Sequence, residues 1–241
     1  IRKTSAPVVR KSLEKFLEDN TRKSAYYEEY IAVDSLGNYM NGYQNYPLLK
    51  GQQTNLYKCI LENNFQQTNV EGNIGLVHPE GLYDDPKGQI ARKEIYKRLR
   101  YHFQFRNSLM LFSEIRDQKL YSLNIYGRKL ETPVFYSINN LFHPKTIDLS
   151  FISDGVGECP SLKIFDEGKG KYVWDLRGHS NRIVEFDEKV LLVVSNLFED
   201  SDQWESAKLP SFHSAEIIEV AKKLSSFELR IRDNKTFIRE G

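Results

Sequence analysis

The most regular pattern of apolar and polar positions in the chain lies between residues 72 and 127. A short apolar run at 73–79 ends in proline and is typical of a buried strand. Residues 90–106 repeat apolar side chains at helical spacing, whereas residues 109–112 and 120–126 have the composition of strands. The pattern therefore predicts an α/β unit in the order strand, helix, strand, strand.

The segments before this unit carry fewer core positions. Residues 1–12 are basic and indicate a mobile or docking arm, and the helical spacing at 13–31 predicts one helix. Residues 34–52 are polar and rich in Gly, Asn and Tyr, which predicts a long loop. Another helix is predicted at 54–65, with Thr54 as its cap.

After Gly127 the pattern changes to shorter elements. We predict an extended segment at 132–138 and a hairpin at 162–176. Two helices at 187–198 and 214–224 and a closing strand pair at 227–239 follow. The boundary between the two textures lies near residue 130. The fold class predicted for the whole chain is α/β, with a smaller α+β region of hairpins at its end.

Composition sets outer limits on function. The chain has 241 residues, 40% of them hydrophobic, so it can bury a sizeable core. The formal net charge of +1 means that a nucleic-acid surface has to come from local charge separation. Two distant cysteines, Cys59 and Cys159, fit a reducing cytoplasm. We expect neither a membrane span nor a signal peptide, and the first residue, Ile1, indicates a fragment.

The residue types that bind metals are widely spaced. No two of the five histidines stand at i, i+3 or i+4, so a zinc site would need several distant segments. Asp84, Asp85 and Glu114 suggest a metal-dependent nuclease, but the acid-x-Lys triplet of such enzymes has Arg116 in its lysine position. The simpler interpretation is that the aspartates turn the chain and cap the next helix.

A basic segment offers the firmest physical hint of a partner. Its cations could neutralise DNA phosphates, and aromatic residues lie between them; the candidates are Arg92, Lys93, Lys97, Arg98 and Arg100. A solvated outer helix of an α/β layer would show the same charges. Charge alone leaves both interpretations open.

Residues 48–127 resemble the second half of the catalytic domain of adenine-specific DNA methyltransferases from restriction–modification and phage-defence systems. The resemblance lies in the order and spacing of short motifs. Asn55-Leu56-Tyr57 is similar to the family's helix-opening segment, and residues 72–79 are similar to its strand from glycine to proline. Leu111-Phe112 and the segment from Lys119 resemble its last strand pair. Residues 140–144, 178–183 and 209–214 resemble the tail of large members.

The resemblance implies a partial Rossmann-like methyltransferase sheet, with S-adenosylmethionine as cofactor and DNA as partner. Phe112 matches the aromatic residue that packs on the extruded adenine, and Leu56 and Tyr57 match the border of the cofactor pocket. The chain has no adjacent prolines, so the family's Asn/Asp-Pro-Pro-aromatic tetrapeptide is missing. It also has no suitable Gly-rich loop. The resemblance thus implies a C-terminal piece that is inactive alone and works with the rest of the parent protein.

We therefore expect three regions: a helix and loop arm at 1–47, the C-terminal half of a methyltransferase-like domain at 48–130, and an α+β accessory region that helps to engage DNA at 131–241. A non-catalytic DNA-binding or assembly module is the alternative. A metal-dependent nuclease is a more distant third.

Overall fold

The computed structural model describes residues 5–53 and 55–227. The chain divides into two compact units, Ile1–Cys59 and Ile60–Gly241. The first unit contains α1 (Ala6–Phe16) and α2 (Asn20–Asn41), and α3 (Leu56–Gln67) begins in the first unit and ends in the second.

Two helices therefore replace the single helix predicted at 13–31, and the loop predicted at 34–52 begins only after Asn41. The break between α1 and α2 has a local cause. The carboxylate of Asp19 accepts a hydrogen bond from the backbone N–H of Arg22 at 2.9 Å and starts a new helix.

The described part of the second unit is a mixed sheet flanked by short helices. Its strands are β1 (Ile74–Pro79), β2 (Leu99–Arg106), β3 (Leu120–Tyr126), β4 (Val134–Leu141), β5 (Lys163–Asp166), β6 (Lys171–Trp174) and β7 (Val184–Asp187). Its helices are α4 (Gly81–Asp84), α5 (Gln89–Arg98), α6 (Lys145–Phe151), α7 (Glu188–Val194) and α8 (Glu216–Ser225). A π-helical turn follows α7 at Ser195–Glu199, and 3₁₀ turns of this unit lie at Asn107–Leu109, Ser180–Arg182 and Trp204–Ser206. The first unit has a 3₁₀ turn at Pro47–Leu49.

The helix predicted at 90–106 was wrong in its second half. The helix, α5, ends at Arg98, and the chain continues directly into β2. Leu99 and Phe103 fit a helical repeat, but with Tyr101 and Phe105 they also fit the alternation of a strand, and the strand prevails because both of its edges are paired. The strand predicted at 109–112 was also wrong, since this segment is a 3₁₀ turn and loop.

The main sheet has five strands in the order β1-β3-β2-β4-β7. β3 lies antiparallel between β1 and β2, and β2 is parallel to β4. Strands β1, β2 and β4 therefore run in the same direction, and β7 closes the far edge antiparallel to β4. The structure confirms an α/β fold with a mixed sheet, and β5 with β6 forms the predicted hairpin as a separate two-stranded ribbon.

The predicted boundary near residue 130 is not a break in the fold. β2 and β4 lie on either side of it and pair through Tyr101–Tyr136, His102–Ser137 and Phe103–Ile138. The sheet is thus continuous through the boundary, and the observed division of the chain lies at Cys59 and Ile60 instead.

The two faces of the sheet differ in chemistry. One face carries an apolar cluster of Phe103, Phe105, Tyr121, Ile138 and Leu141, against which Ile147 of α6 packs. Burial of such a cluster favours the folded state. The opposite face, towards α4 and α5, carries buried polar side chains, which form the candidate site below.

Several predictions at the ends of elements are confirmed. The Asp187 carboxylate caps α7 by accepting from the N–H of Val190 at 2.8 Å, and α8 covers most of the helix predicted at 214–224. Thr54 and the strand pair predicted at 227–239, except Phe227, lie outside the described residues. Among the helices in residues 5–53 and 55–227, none has the length and apolar character needed to cross a bilayer.

Gly178 should be essential for the packing of α6. A Cβ atom at this position would overlap the backbone of Leu149 and Ser150. We expect Gly178→Ala to lower the free energy of unfolding by about 3 kcal/mol, measured by urea denaturation. The control Gly168→Ala, whose Cβ would come no closer than 3.4 Å to Asp166, should stay within about 0.5 kcal/mol of the wild type. Equal losses in the two variants would contradict this packing.

Candidate functional site

The carboxyl ends of β1, β2 and β4 lie at the same edge of the sheet because these strands are parallel. This carboxyl edge is where open α/β sheets bind their ligands. Glu80 directly follows β1 at this edge, and its carboxylate meets two side chains on the polar face of β2. Its carboxylate accepts hydrogen bonds from Gln104 Nε2 at 2.9 Å and from His102 Nε2 at 3.2 Å.

His102 is fully buried and bonded through both ring nitrogens. Its Nδ1 lies 2.9 Å from the Ser137 hydroxyl, which itself donates to Asn139 Oδ1 at 3.3 Å. The Nε2 atom faces an ionised carboxylate, so it donates to Glu80, and the two side chains lie within ion-pair distance.

The surroundings of Glu80 stabilise its carboxylate. Burial alone would raise the pKa of Glu80, but the charge of His102 and hydrogen bonds from His102, Ser122 and Gln104 outweigh burial and lower the pKa to about 2. Only 15% of the Glu80 side chain is exposed, so solvent screens these interactions weakly. Glu80 is therefore a fixed negative charge on the polar face of the sheet.

A second part of the polar face links β1, β3 and α4. The Tyr83 hydroxyl donates to Asn124 Oδ1 at 2.6 Å, and Asn124 Nδ2 donates to the Ser122 hydroxyl at 2.8 Å. His78 Nε2 lies 2.8 Å from the Tyr126 hydroxyl. Burial raises the pKa of Tyr83 well above its usual value, so this phenol stays neutral and keeps its proton for the network.

Gln104 joins this face to the segment before α8. Its Nε2 also donates to the Ser211 hydroxyl at 2.7 Å, and Asn139 Nδ2 donates to the carbonyl of Phe212 at 3.0 Å. Gln104 Oε1 is buried and has no hydrogen-bond partner among residues 5–53 and 55–227. The network thus contains one enclosed acceptor that receives no hydrogen bond from the described residues.

Sequence reasoning missed the polar face, although a signal for it exists. Three strands carry a pair of polar residues two positions apart, where a buried strand would place apolar ones; the pairs are His102 and Gln104, Ser122 and Asn124, and Ser137 and Asn139. Residues i and i+2 of a strand share a face. The pairs could therefore have predicted a polar face once β2 had been recognised as a strand.

Phe112 lies at the same carboxyl edge, in the loop from β2 to β3. Its ring packs edge-on against Tyr121, with 5.0 Å between the ring centroids, and 44% of the residue stays exposed. The structure thus places the predicted base-stacking residue where a ligand at the carboxyl edge could reach it. That Phe112 stacks on a base stays a prediction.

Two of the predicted phosphate contacts have structural roles. Arg92 is 2% exposed, and its guanidinium donates to the carbonyls of Asp85 at 2.6 Å and Ser206 at 3.2 Å. Arg100 donates to the carbonyls of Arg98 at 3.0 Å and Leu99 at 2.9 Å. Carbonyls already occupy these donors, which would otherwise be available to phosphate.

The other three predicted contacts lie nearer the surface. Lys93 Nζ is 2.9 Å from Glu205, and its side chain is 59% exposed. Lys97 lies over the ring of Trp204, and Arg98 forms an ion pair with Glu94 at 2.7 Å. Contact of these three residues with phosphate stays a prediction, and Lys93 has the most exposed side chain among the ion pairs of this helix.

The predicted cofactor-border residues belong to the first unit. Leu56 opens α3 and is 61% exposed, whereas Tyr57 is half-buried. The carboxyl edge belongs to the second unit. The role of Leu56 and Tyr57 at a cofactor pocket therefore stays a prediction.

The acids that suggested a nuclease are not gathered into a metal site. No group of three His, Cys, Asp or Glu side chains in the part of the chain that the structure describes could hold a metal ion. The Asp85 carboxylate accepts from the N–H of Lys87 at 2.9 Å, as a residue that turns the chain does.

Comparison with protein-family models, with curated proteins and with solved structures gave no match. The functional conclusion must therefore come from the carboxyl edge, where Phe112 follows β2, and from the polar face that Glu80 and Gln104 share.

The Glu80–His102 ion pair should make stability depend on pH in the acid range. The folded pKa of about 2 lies below the ordinary value of 4.5, so the stabilisation is complete above pH 4.5 and is lost as the pH falls towards 2. In urea denaturation from pH 5 to pH 2, the wild type should lose roughly 2–3 kcal/mol more than Glu80→Gln. The exposed Glu185→Gln should lose as much as the wild type, and an identical loss in Glu80→Gln would contradict the ion pair.

Arg92 and Lys93 should separate stability from DNA binding. Arg92→Ala removes a buried side chain, leaves the Ser206 carbonyl without its donor and removes one of two donors to the Asp85 carbonyl, so we expect the free energy of unfolding to fall by about 3 kcal/mol. Lys93→Ala removes only an exposed ion pair and should change the free energy of unfolding by less than about 1 kcal/mol. Urea denaturation measures both. A stable Arg92→Ala variant with a weaker salt dependence of DNA binding would return Arg92 to the interface.

Proposed function

We propose that this chain is the C-terminal part of a DNA adenine methyltransferase of the restriction–modification or phage-defence type. It would complete a Rossmann-like sheet and present the target adenine to a catalytic half that holds S-adenosylmethionine. The observation that carries the proposal is the position of β1, which lies at the edge of the sheet, is antiparallel to β3 and runs in the direction of β2 and β4.

β1 has the properties of an interior strand at an edge position. Within the described residues it pairs with β3 alone, while Val77 is 54% exposed and Leu76 is half-buried. An exposed apolar edge favours pairing with another strand, and proteins normally cover or charge such edges. A strand added beside β1 would extend the sheet, as the family's catalytic half requires.

The carboxyl edge supports a ligand site in such a sheet. The exposed ring of Phe112 follows the carboxyl end of β2, where a cofactor and substrate meet in this fold class, and the fixed charge of Glu80 lies on the polar face of the same sheet. A base-modifying enzyme has to take its base out of the stack, and an aromatic ring can receive it. Phe112 would hold the adenine in this way.

The chain does not itself fit the cofactor. Its sequence has no glycine-rich turn after a strand and no Asn-Pro-Pro-aromatic tetrapeptide, and Leu56 is an isolated apolar residue at the predicted border. The role proposed for this chain is therefore to orient and stack the adenine. Such a protein would act on cytoplasmic DNA.

A second candidate function is a DNA-binding or assembly module without catalysis. The β5–β6 ribbon favours it, because Phe165 and Tyr172 pair across the strands and remain 50% and 67% exposed. Lys163 and Lys171 stand beside them. An exposed aromatic pair with neighbouring lysines suits nucleic-acid binding.

The two candidates differ in their response to loss of Phe112. Stacking of one base is worth about 1–3 kcal/mol, so Phe112→Ala should lower kcat/KM for adenine methylation by the complete protein about 5- to 150-fold. The assay measures transfer of labelled methyl groups from S-adenosylmethionine to DNA. This chain alone should transfer none.

Phe165→Ala is the matched control, since it removes an aromatic ring of similar exposure from the ribbon. It should leave methyl transfer within about threefold of the wild type. Absence of N6-methyladenine from DNA incubated with the complete protein would contradict the methyltransferase and leave the binding module. Methyl transfer by this chain alone would contradict its role as a partial sheet.

A further inference from the structure

The connection between β2 and β3, residues 107–119, is longer than two antiparallel neighbours need. A hairpin of adjacent strands usually closes with about two to five residues. Longer loops in compact domains are commonly functional. We call this segment the 107–119 loop.

The 107–119 loop presents a row of apolar side chains to solvent. Leu109, Met110, Leu111 and Phe112 are consecutive, and each is between 41% and 46% exposed. Met110 has a φ of 53°, a left-handed conformation that is strained for a methionine. Consecutive exposed apolar residues in a strained turn favour a partner surface over a simple linker.

Buried hydrogen bonds fix the shape of this loop. Asn107 is fully buried, and its Nδ2 donates to the carbonyls of Phe112 at 2.8 Å and Ile115 at 2.7 Å. Its Oδ1 accepts from the N–H of Phe112 at 3.0 Å. The Met110 N–H also donates to the Asn107 carbonyl at 2.7 Å. The apolar row is thus preformed, so binding to a partner costs little conformational entropy in this loop.

A basic depression lies beside the apolar row. It has a volume of about 470 Å³ and is lined by Arg116, Asp117, Gln118 and Lys119, all of them exposed. Neither Arg116 nor Lys119 forms a salt bridge with another described residue. Two cations against one acid make the depression suited to a backbone phosphate.

We propose that the 107–119 loop is a preformed wedge for duplex DNA. Leu109, Met110 and Leu111 enter the base stack at the position that the extruded adenine leaves, and Arg116 and Lys119 hold a neighbouring phosphate. Asn107 is the positioning residue. The proposal rests on the DNA substrate proposed above and extends it to a named surface.

The chemistry of the loop selects a base step as its occupant. Apolar side chains such as Leu and Met separate base steps when they enter a duplex, and the cost of unstacking is a few kcal/mol per step. A rigid loop supplies this insertion without ordering entropy of its own, and the cations beside it match the phosphate charge. The loop also carries Phe112, so extrusion and capture of the base would occur at one place.

A duplex that already has a gap in its stack tests the wedge. We compare the binding of this chain to two short labelled duplexes, one intact and one with a single abasic site, by fluorescence anisotropy at low salt. At an abasic site the wedge enters a gap that already exists, so no free energy is needed to unstack the bases. The abasic duplex should therefore bind about tenfold more tightly.

Three variants locate the effect. The combined variant Leu109→Ser, Met110→Ser, Leu111→Ser should bind both duplexes equally and keep the affinity of the wild type for the intact one. Asn107→Ala should do the same, because the row loses its shape while the cations remain. The control Ile152→Ser, Val156→Ser removes apolar side chains that are 78% and 81% exposed elsewhere and should keep the tenfold preference.

Each outcome bears on a different claim. Equal binding of both duplexes by the wild type would overturn the wedge and leave the proposed DNA substrate intact. Loss of the preference in the control variant would overturn the assignment to this loop. Failure to bind either duplex would overturn both proposals, whereas retained preference in Asn107→Ala would remove Asn107 as the positioning residue. Circular dichroism confirms that each variant is folded.

Discussion

β2 is hydrogen-bonded along both edges, antiparallel to β3 and parallel to β4, and the candidate site depends on this pairing. Because β2 and β4 are parallel, both strands end at the same edge of the sheet. At that edge the 107–119 loop connects the end of β2 to the start of the antiparallel strand β3. His102 and Gln104 point to one face of β2, and Phe103 and Phe105 to the other. One strand therefore supports both the polar network and the apolar core.

A polar face inside a sheet is costly unless its groups bond to each other. Moving a charge such as that of Glu80 out of water costs several kcal/mol, which its hydrogen bonds and attractive contacts must offset. The polar face also fixes the register of β2, because a shift of this strand by one residue would turn His102 into the apolar core.

Local signals predicted well where one residue type decides the outcome. The Asp187 cap and the hairpin of β5 and β6 follow from short motifs, and both are confirmed. The segment from Leu99 failed because its apolar positions satisfy the helical and the strand period together, and only the partners β3 and β4 choose between them. Arg92 was predicted at the surface, since no sequence rule shows that the carbonyls of Asp85 and Ser206 surround it.

The position of Phe112 shows how the core controls the carboxyl edge. Tyr121 lies in β3, stacks on Phe105 of β2 with 5.4 Å between centroids, and supports the Phe112 ring edge-on. Asn107, directly after β2, holds the backbone of Phe112 from the other side. The ring is thus fixed by two adjacent strands, and the flexibility of the loop contributes little to its placement. A change in the pairing of β2 with β3 would therefore move Phe112 before it exposed the core.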